Sequence, residues 1–261
     1  RYIGADPSNY VYFNCSDYSN QSDSTCEKWR IIGVFKNMTK EDGSKEDLVK
    51  IIRDDSLGNI AWDSNIVNDW STASLQTTLN GDYYNGTYAT GAFKNDSTRN
   101  AIESVVWNLG GTASYTSSSN GLASHWYGYE RGTTVYSGRP TTWTGKIALM
   151  YPSDYGYATA GGTTTNRESC LAKELYNWDG SGVSDCKNND YLFKSAYTQW
   201  TLAPASSFSN YAFFVDAKGF VGYDGVNVTY GVRPAAYLKS SISITDVGTG
   251  TAESPFQLSV Q

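Results

Sequence analysis

The chain's only histidine, His125, is its one side chain whose ordinary pKa suits general-base work near neutral pH. A nucleophilic triad would have to be built on it. Its neighbours Ser124, Trp126 and Tyr127 carry no nucleophile-elbow signature, so His125 reads as an uninvolved surface or core residue. Paired carboxylates are the other hydrolytic chemistry. Asp54, Asp55, Asp63, Asp69, Asp179 and Asp216 are candidates, but such pairs leave no local pattern in sequence. Asp54-Asp55 follows an apolar run and reads as a turn or cap. Residues 185–190 have the Asp/Asn density of a calcium loop without EF-hand spacing, so no metal is assigned, and no cofactor motif is present.

Four cysteines, Cys15, Cys26, Cys170 and Cys186, allow three pairings. Zinc would need closer spacing or nearby histidines, and no Cys-x-x-Cys occurs. The local pairing, Cys15 with Cys26 and Cys170 with Cys186, is the simplest. Each bond would staple a polar loop, residues 16–25 and 172–185, that cannot pack itself. Disulfides imply an oxidising, extracellular setting. Arg233 stands between Val232 and an apolar run after Pro234. An arginine there must bury its stem and find partners for its planar head, so a structural role outranks a ligand-binding one.

Carboxylates outnumber Lys and Arg by 26 to 20, giving a net charge of −6, and no basic stripe appears. Nucleic acid and anionic membranes are therefore poor partners. No apolar run reaches membrane-spanning length, so no membrane insertion is expected of this segment. Arg1 reads as an interior position of a longer precursor, because Tyr2-Ile3 already reads as strand. Tyrosine (21) and tryptophan (8) are abundant while Met (2) is scarce. Most of these rings are expected in the core or in cross-strand pairs, the rest on a contact surface. Six Asn-x-Ser/Thr sequons lie at Asn14, Asn20, Asn37, Asn85, Asn95 and Asn227, most of them explained by composition alone.

The elements that must position these groups are mainly strands. Residues 10–13, 29–35, 47–53 and 60–63 read as strands, the second and third forming a hairpin. Two helices are predicted, over residues 71–79 and 96–109. The second has an apolar face of Ala101, Ile102, Val105, Val106 and Leu109, ended by Gly110-Gly111. Residues 110–120 read as a surface loop, 146–151 as a buried strand and 168–176 as a short helix. Residues 197–202, 211–215, 219–223 and 231–238 read as closing strands, and 243–258 as a terminal strand and tail. Asp216 to Gly219 is a hairpin turn with glycine at a positive-φ position. With no linker or repeat visible, residues 1–261 read as one α+β domain of mainly antiparallel sheet with two helices and long loops.

The run Gly231-Val232-Arg233-Pro234-Ala235-Ala236-Tyr237-Leu238 resembles the ending of domains with the formylglycine-generating-enzyme and C-type-lectin-like fold, including lectin-fold receptors diversified by retroelements. Residues 1–13 (Arg-Tyr-Ile-Gly-Ala-Asp-Pro-Ser-Asn-Tyr-Val-Tyr-Phe), 29–35 and 146–157 are similar to uncharacterised extracellular domains common in gut Bacillota. No catalytic cysteine motif of the oxidase can be matched, so the resemblance implies scaffold alone. It implies a non-catalytic bacterial cell-surface domain that binds a protein or glycan. In the receptors it resembles, the last hairpins carry the ligand contacts. Here they correspond to Ser207, Phe208, Ser209, Asn210, Tyr211, Asp216, Tyr223, Asp224, Asn227 and Tyr230. Alanine at Tyr223 and Tyr230 is then expected to weaken attachment and leave folding intact. The alternatives are a subunit of an extracellular filament or surface layer, packed against its own copies and pilin-like if a hydrophobic helix precedes Arg1, and a carboxylate-dependent glycan-processing enzyme.

Overall fold

In chain order the computed structural model has strands β1 (Tyr10–Phe13), β2 (Glu27–Thr39), β3 (Lys45–Arg53), β4 (Asn59–Ala61), β5 (Ile102–Glu103), β6 (Val105–Asn108), β7 (Thr142–Gly145), β8 (Ile147–Ala148), β9 (Gln199–Pro204), β10 (Tyr211–Val215), β11 (Val221–Gly225), β12 (Thr229–Gly231) and β13 (Ala235–Leu238). The structure describes residues 1–180 and 185–260. Part of the loop expected between Cys170 and Cys186, residues 181–184, therefore lies outside the described residues. Among the described residues five short α-helices are interspersed: α1 (Ser74–Thr78), α2 (Asp96–Asn100), α3 (Ala123–Glu130), α4 (Pro152–Ala158) and α5 (Arg167–Leu171).

Two sheets carry the architecture, which is α+β with mostly antiparallel pairing. A six-stranded sheet runs β1-β2-β3-β13-β5, with β8 also on β13, and a five-stranded sheet runs β11-β10-β9-β12-β4. A β6–β7 ribbon stands beside them. The predicted β2–β3 hairpin forms, with Trp29 opposite Arg53 and Phe35 opposite Leu48. One connected buried cluster draws on both sheets, from Val11 and Ile51 to Trp200 and Phe213. Trp29, Trp62, Trp70, Trp107, Trp126, Trp178 and Trp200 are all fully buried. Seven of the eight tryptophans are thus core, with Trp143 half-buried, and the contact surface falls mainly to Tyr and Phe.

Several expectations fail for physical reasons. The helix over 96–109 stops at Asn100. Beyond it, Ile102–Glu103 pairs with β13 and Val105–Asn108 with β7. Val105 and Trp107 are buried while Val106 and Asn108 are half-buried, a period of two that the β-branched residues favour. The helix over 71–79 begins at Ser74 and continues as a π-helical turn through Leu79–Tyr83, past Asn80-Gly81. Two helices, α3 and α4, were not anticipated. Pro152 opens α4, and the Asp154 carboxylate accepts from the Tyr151 N–H at its start. Tyr151 therefore ends the expected 146–151 strand early, and only Ile147–Ala148 pairs.

The run 231–238 is not one strand. Gly231 ends β12 in one sheet and Ala235 begins β13 in the other, and Val232, Arg233 and Pro234, all buried, cross between them. Pro234 has no N–H for a ladder, and its carbonyl accepts from Arg53. Residues 243–258 form only isolated bridges, Ile244 to Leu258 and Phe256 to Val11, and Tyr2-Ile3 lies outside the strands. The 110–120 loop is not wholly superficial. Gly110 and Gly111 are buried, and a side chain at Gly111 would meet the Pro204 carbonyl at 1.9 Å.

Candidate functional site

The ladder of the five-stranded sheet decides which predicted contact residues meet. Tyr211, Phe213 and Val215 pair with Gly225, Tyr223 and Val221, while Ala212 and Phe214 pair with Asp224 and Gly222. Alternate residues face opposite sides of a sheet. Tyr211 and Tyr223 therefore share one face, and Asp224 lies on the other with Phe214 and its partner Trp200. The expected set is split between two surfaces.

On the first face Phe208, Tyr211 and Tyr223 form a three-ring cluster. Tyr211 stacks on Tyr223 at 5.4 Å and 27°, and Phe208 lies 4.9 Å from Tyr211 and 5.7 Å from Tyr223. Phe208 is 40% exposed, the most accessible aromatic ring of the expected set. Tyr115, buried, backs the cluster at 5.5 Å from Tyr223, and Tyr176, 39% exposed, extends it at 5.7 Å from Tyr115. Asn227 and the Tyr211 ring both flank Gly225, so Asn227 joins this patch. Ser207, Ser209 and Asn210 lie in the same loop as Phe208, with Ser207 exposed.

That loop is held by residues that sequence reasoning missed. The buried Asn68 donates through Nδ2 to the carbonyls of Ala205, Phe208 and Tyr211, at 2.8–2.9 Å. Its backbone N–H donates to the Ser209 carbonyl. Arg139 bonds both Asn68 Oδ1 and the Ser209 carbonyl. A loop so clamped loses little entropy when it is bound. An asparagine before Asp69-Trp70 gives no local sign of this role.

On the opposite face Tyr230 donates to Asp224 at 2.7 Å and packs on Trp200 at 4.8 Å and Phe214 at 5.2 Å. Burial, then the Asp224 carboxylate, push its hydroxyl pKa upward. Tyr223 likewise packs on Tyr115 and Phe213. The expectation that alanine at Tyr223 and Tyr230 spares folding does not fit this packing: both rings help to hold the sheet, Tyr223 in addition to its place in the three-ring cluster. Asp216 accepts from Thr198 Oγ1 and the Lys218 N–H in the hairpin turn, where Gly219 has φ +106° as expected.

Arg233 sits where the two sheets meet. Its Nε donates to the Arg53 carbonyl at 2.9 Å, and its Nη1 to the Leu192 carbonyl and Gln199 Oε1 at 3.2 Å. Asp54 lies 3.8 Å from its Nη2 and 3.0 Å from Lys194 Nζ. Burial alone would raise the Asp54 pKa; the Arg233, Lys194 and Arg30 charges overcome it and hold the carboxyl below its usual range.

A second buried network joins the first sheet to α3 and α4. Lys50, fully buried, reaches Asp154 at 2.5 Å, and Arg1 bonds the other Asp154 oxygen at 2.6 Å. Glu130 accepts from the Ser153 N–H and hydroxyl and from Arg131. Burial raises the Glu130 pKa to about 7 despite these partners.

The remaining candidate groups are engaged in the fold or stand on its surface. Asp63 accepts from the N–H groups of Val67 and Ser74, and Asp69 from Ser71. Asp55 and Asp179 are exposed. His125 Nδ1 accepts from the Leu122 N–H at the start of α3. Asp185 accepts from Thr164, and Asp190 is buried, accepting from the Leu192 N–H. Asn14, one of the sequons, is fully buried and bonded to the Gly91 and Ala92 carbonyls, so it is closed to glycosylation. Cys15 is bonded to Cys26 and Cys170 to Cys186, which fits an oxidising compartment. No helix among the described residues is long and apolar enough to cross a membrane.

No protein-family model, no curated protein and no solved structure matches this chain.

Proposed function

We propose that this protein is a binding module of the bacterial cell surface that attaches to a glycan or protein through the Phe208–Tyr211–Tyr223 patch. The observation that carries this reading is an exposed ring, Phe208, on a loop whose carbonyls are clamped from beneath by Asn68 and Arg139. Aromatic rings with small polar neighbours give large contact area at little entropic cost. Ser207, Ser209, Asn210 and Asn227 supply those neighbours. The C-type-lectin-like scaffold implied by the closing residues is part of the same proposal.

The test is binding of labelled protein to an array of defined glycans and to intact bacterial and epithelial cells, with Phe208→Ser alongside. Attachment that the variant loses supports the reading. No attachment by the wild type, or attachment that Phe208→Ser leaves unchanged, overturns it. Cleavage of any bound glycan, read by mass spectrometry, would transfer the assignment to the carboxylate-enzyme reading.

A second reading, assembly with its own copies, draws support from an apolar groove of about 440 Å³ beside Arg1. Val34 and Ile244, 57% and 45% exposed, line it. Sedimentation of purified protein that shows only monomer at high concentration removes this reading.

A further inference from the structure

Two adjoining clefts share the exposed ring of Tyr127 and no residue of the Phe208 patch. The larger, about 540 Å³, is lined by Arg1, Ile3, Tyr127, Tyr157 and Arg167. The smaller, about 200 Å³, brings Lys36 and Arg131 together beside Tyr127. Every charged residue lining either cleft is a cation, in a chain where carboxylates outnumber cations 26 to 20. The carboxylates beneath, Asp154 and Glu130, are buried and already bonded to Lys50, Arg1, Ser153 and Arg131. Asp47 stands at the rim, where it accepts from the Asn37 N–H.

The guanidiniums are held in place with donors to spare. Arg131 lies 3.6 Å over the Tyr127 ring and spends Nη1 on Glu130 and the Tyr127 carbonyl. Arg1 spends Nη1 on Asp154 and lies 5.3 Å from the Tyr157 ring centroid. Arg167 spends Nε and Nη2 on the Thr159 and Tyr157 carbonyls. Among the described residues no acceptor is hydrogen-bonded to Arg1 Nη2, Arg131 Nη2 or Arg167 Nη1. The Tyr127 and Tyr157 rings meet at 6.5 Å and 78°, so one can present a face where the other presents an edge.

We propose that these clefts bind an acidic sugar: a pyranose whose carboxylate is taken by Arg167 and Arg1 and whose apolar ring face lies on Tyr127. Fixed guanidinium forks match a carboxylate in two-point geometry. Tyrosine faces supply apolar area beside a polar tip, which suits a ring with one hydrophobic side. The ligand is a short one. The net charge of −6 opposes a long polyanion such as nucleic acid, while a local cationic cleft still attracts a single carboxylate.

The test is a titration followed by NMR with the methyl glycosides of N-acetylneuraminic acid and glucuronic acid, and with methyl glucoside as the neutral control. The expected result is saturable binding of an acidic sugar at a Kd of about 1 mM or tighter, with the neutral sugar at least about 10-fold weaker. Tyr127→Ala and Arg167→Gln should each weaken it about 10-fold or more, while Phe208→Ser leaves it unchanged. Lys36→Ser, at an exposed position, gives a smaller loss and guards against a variant that fails to fold. No saturable binding, equal binding of the neutral sugar, or equal competition by sodium sulfate overturns the proposal. Because Phe208→Ser acts only on the other patch, failure here and failure of the proposed function are read separately.

Discussion

Replacing Arg233 by alanine should cost about 3–5 kcal/mol, the scale found when one partner leaves a buried, hydrogen-bonded ionic site. The structure shows where the loss arises. Leu192's carbonyl keeps the Gln199 Nε2 donor at 2.8 Å, so it is not left bare. Arg53's carbonyl and Gln199 Oε1 each lose their Arg233 donor, each a hydrogen bond to a charged group worth about 1.5–3 kcal/mol. Asp54 keeps Lys194 at 3.0 Å, which limits its share. The two lost hydrogen bonds alone account for the expected cost, and the cavity left by the stem acts in the same direction. Arg233→Lys keeps a charge near Asp54 without the planar fork and should lose about half as much. The assay is urea unfolding of the oxidised protein at pH 7, followed by fluorescence of the buried tryptophans. A second readout is pH. Asp54's folded pKa is depressed, so its stabilisation is present above its unfolded pKa of about 3.9 and is lost as pH falls through the folded value. Arg233→Ala should therefore flatten the acid limb. A variant within about 0.5 kcal/mol of wild type, or one that keeps its stability and loses ligand binding, would refute the structural role.

Glu130→Gln should change the pH profile in the opposite sense. The folded pKa of about 7 lies above the unfolded value, so the wild type loses stability as pH rises from about 4.5 to 7, by about 3 kcal/mol in all, and the variant does not. Wild-type minus variant unfolding free energies across that range check this, and a flat difference contradicts it. Opening the Cys15–Cys26 bond with a Cys15→Ser/Cys26→Ser pair should cost about 2–3 kcal/mol, because the closed loop is short. Mild reductant should open this bond before Cys170–Cys186, because Cys26 keeps 8% exposure while Cys170 and Cys186 are both fully buried, as peptide mapping over time would show.

The sequence carried most of the strand positions because strands buried on both faces read as short continuous apolar runs. The β2–β3 hairpin and β10 were legible from their apolar runs. The same kind of signal was misread between Ile102 and Asn108, where apolar residues close together fit a helical face and a period of two equally well. Pairing with β7 and β13 decides between them, and such long-range partners are invisible locally. The Gly-Val-Arg-Pro run showed that an arginine would be buried there but not that the chain changes sheets. Phe208 and Tyr211 were named as contacts, yet the separation of Tyr223 from Asp224 and Tyr230 follows from ladder register, not composition. Asn68 and Arg139 were missed because their partners are backbone carbonyls some 70–140 residues away, which leave no trace in local sequence. The cationic clefts were missed because Arg1, Lys36, Arg131 and Arg167 are scattered along a chain that is acidic overall.

The central claim, attachment through a clamped aromatic loop, is tested most directly by titrating the strongest array ligand against wild type, Phe208→Ser and Asn68→Ala, with melting temperatures measured on the same samples. Phe208→Ser should raise Kd about 10-fold or more and keep its melting temperature within about 3 °C, as a surface change does. Asn68→Ala should weaken binding too, through a loosened loop, with some loss of stability from the unpaired carbonyls. An unchanged Kd for Phe208→Ser would contradict the account.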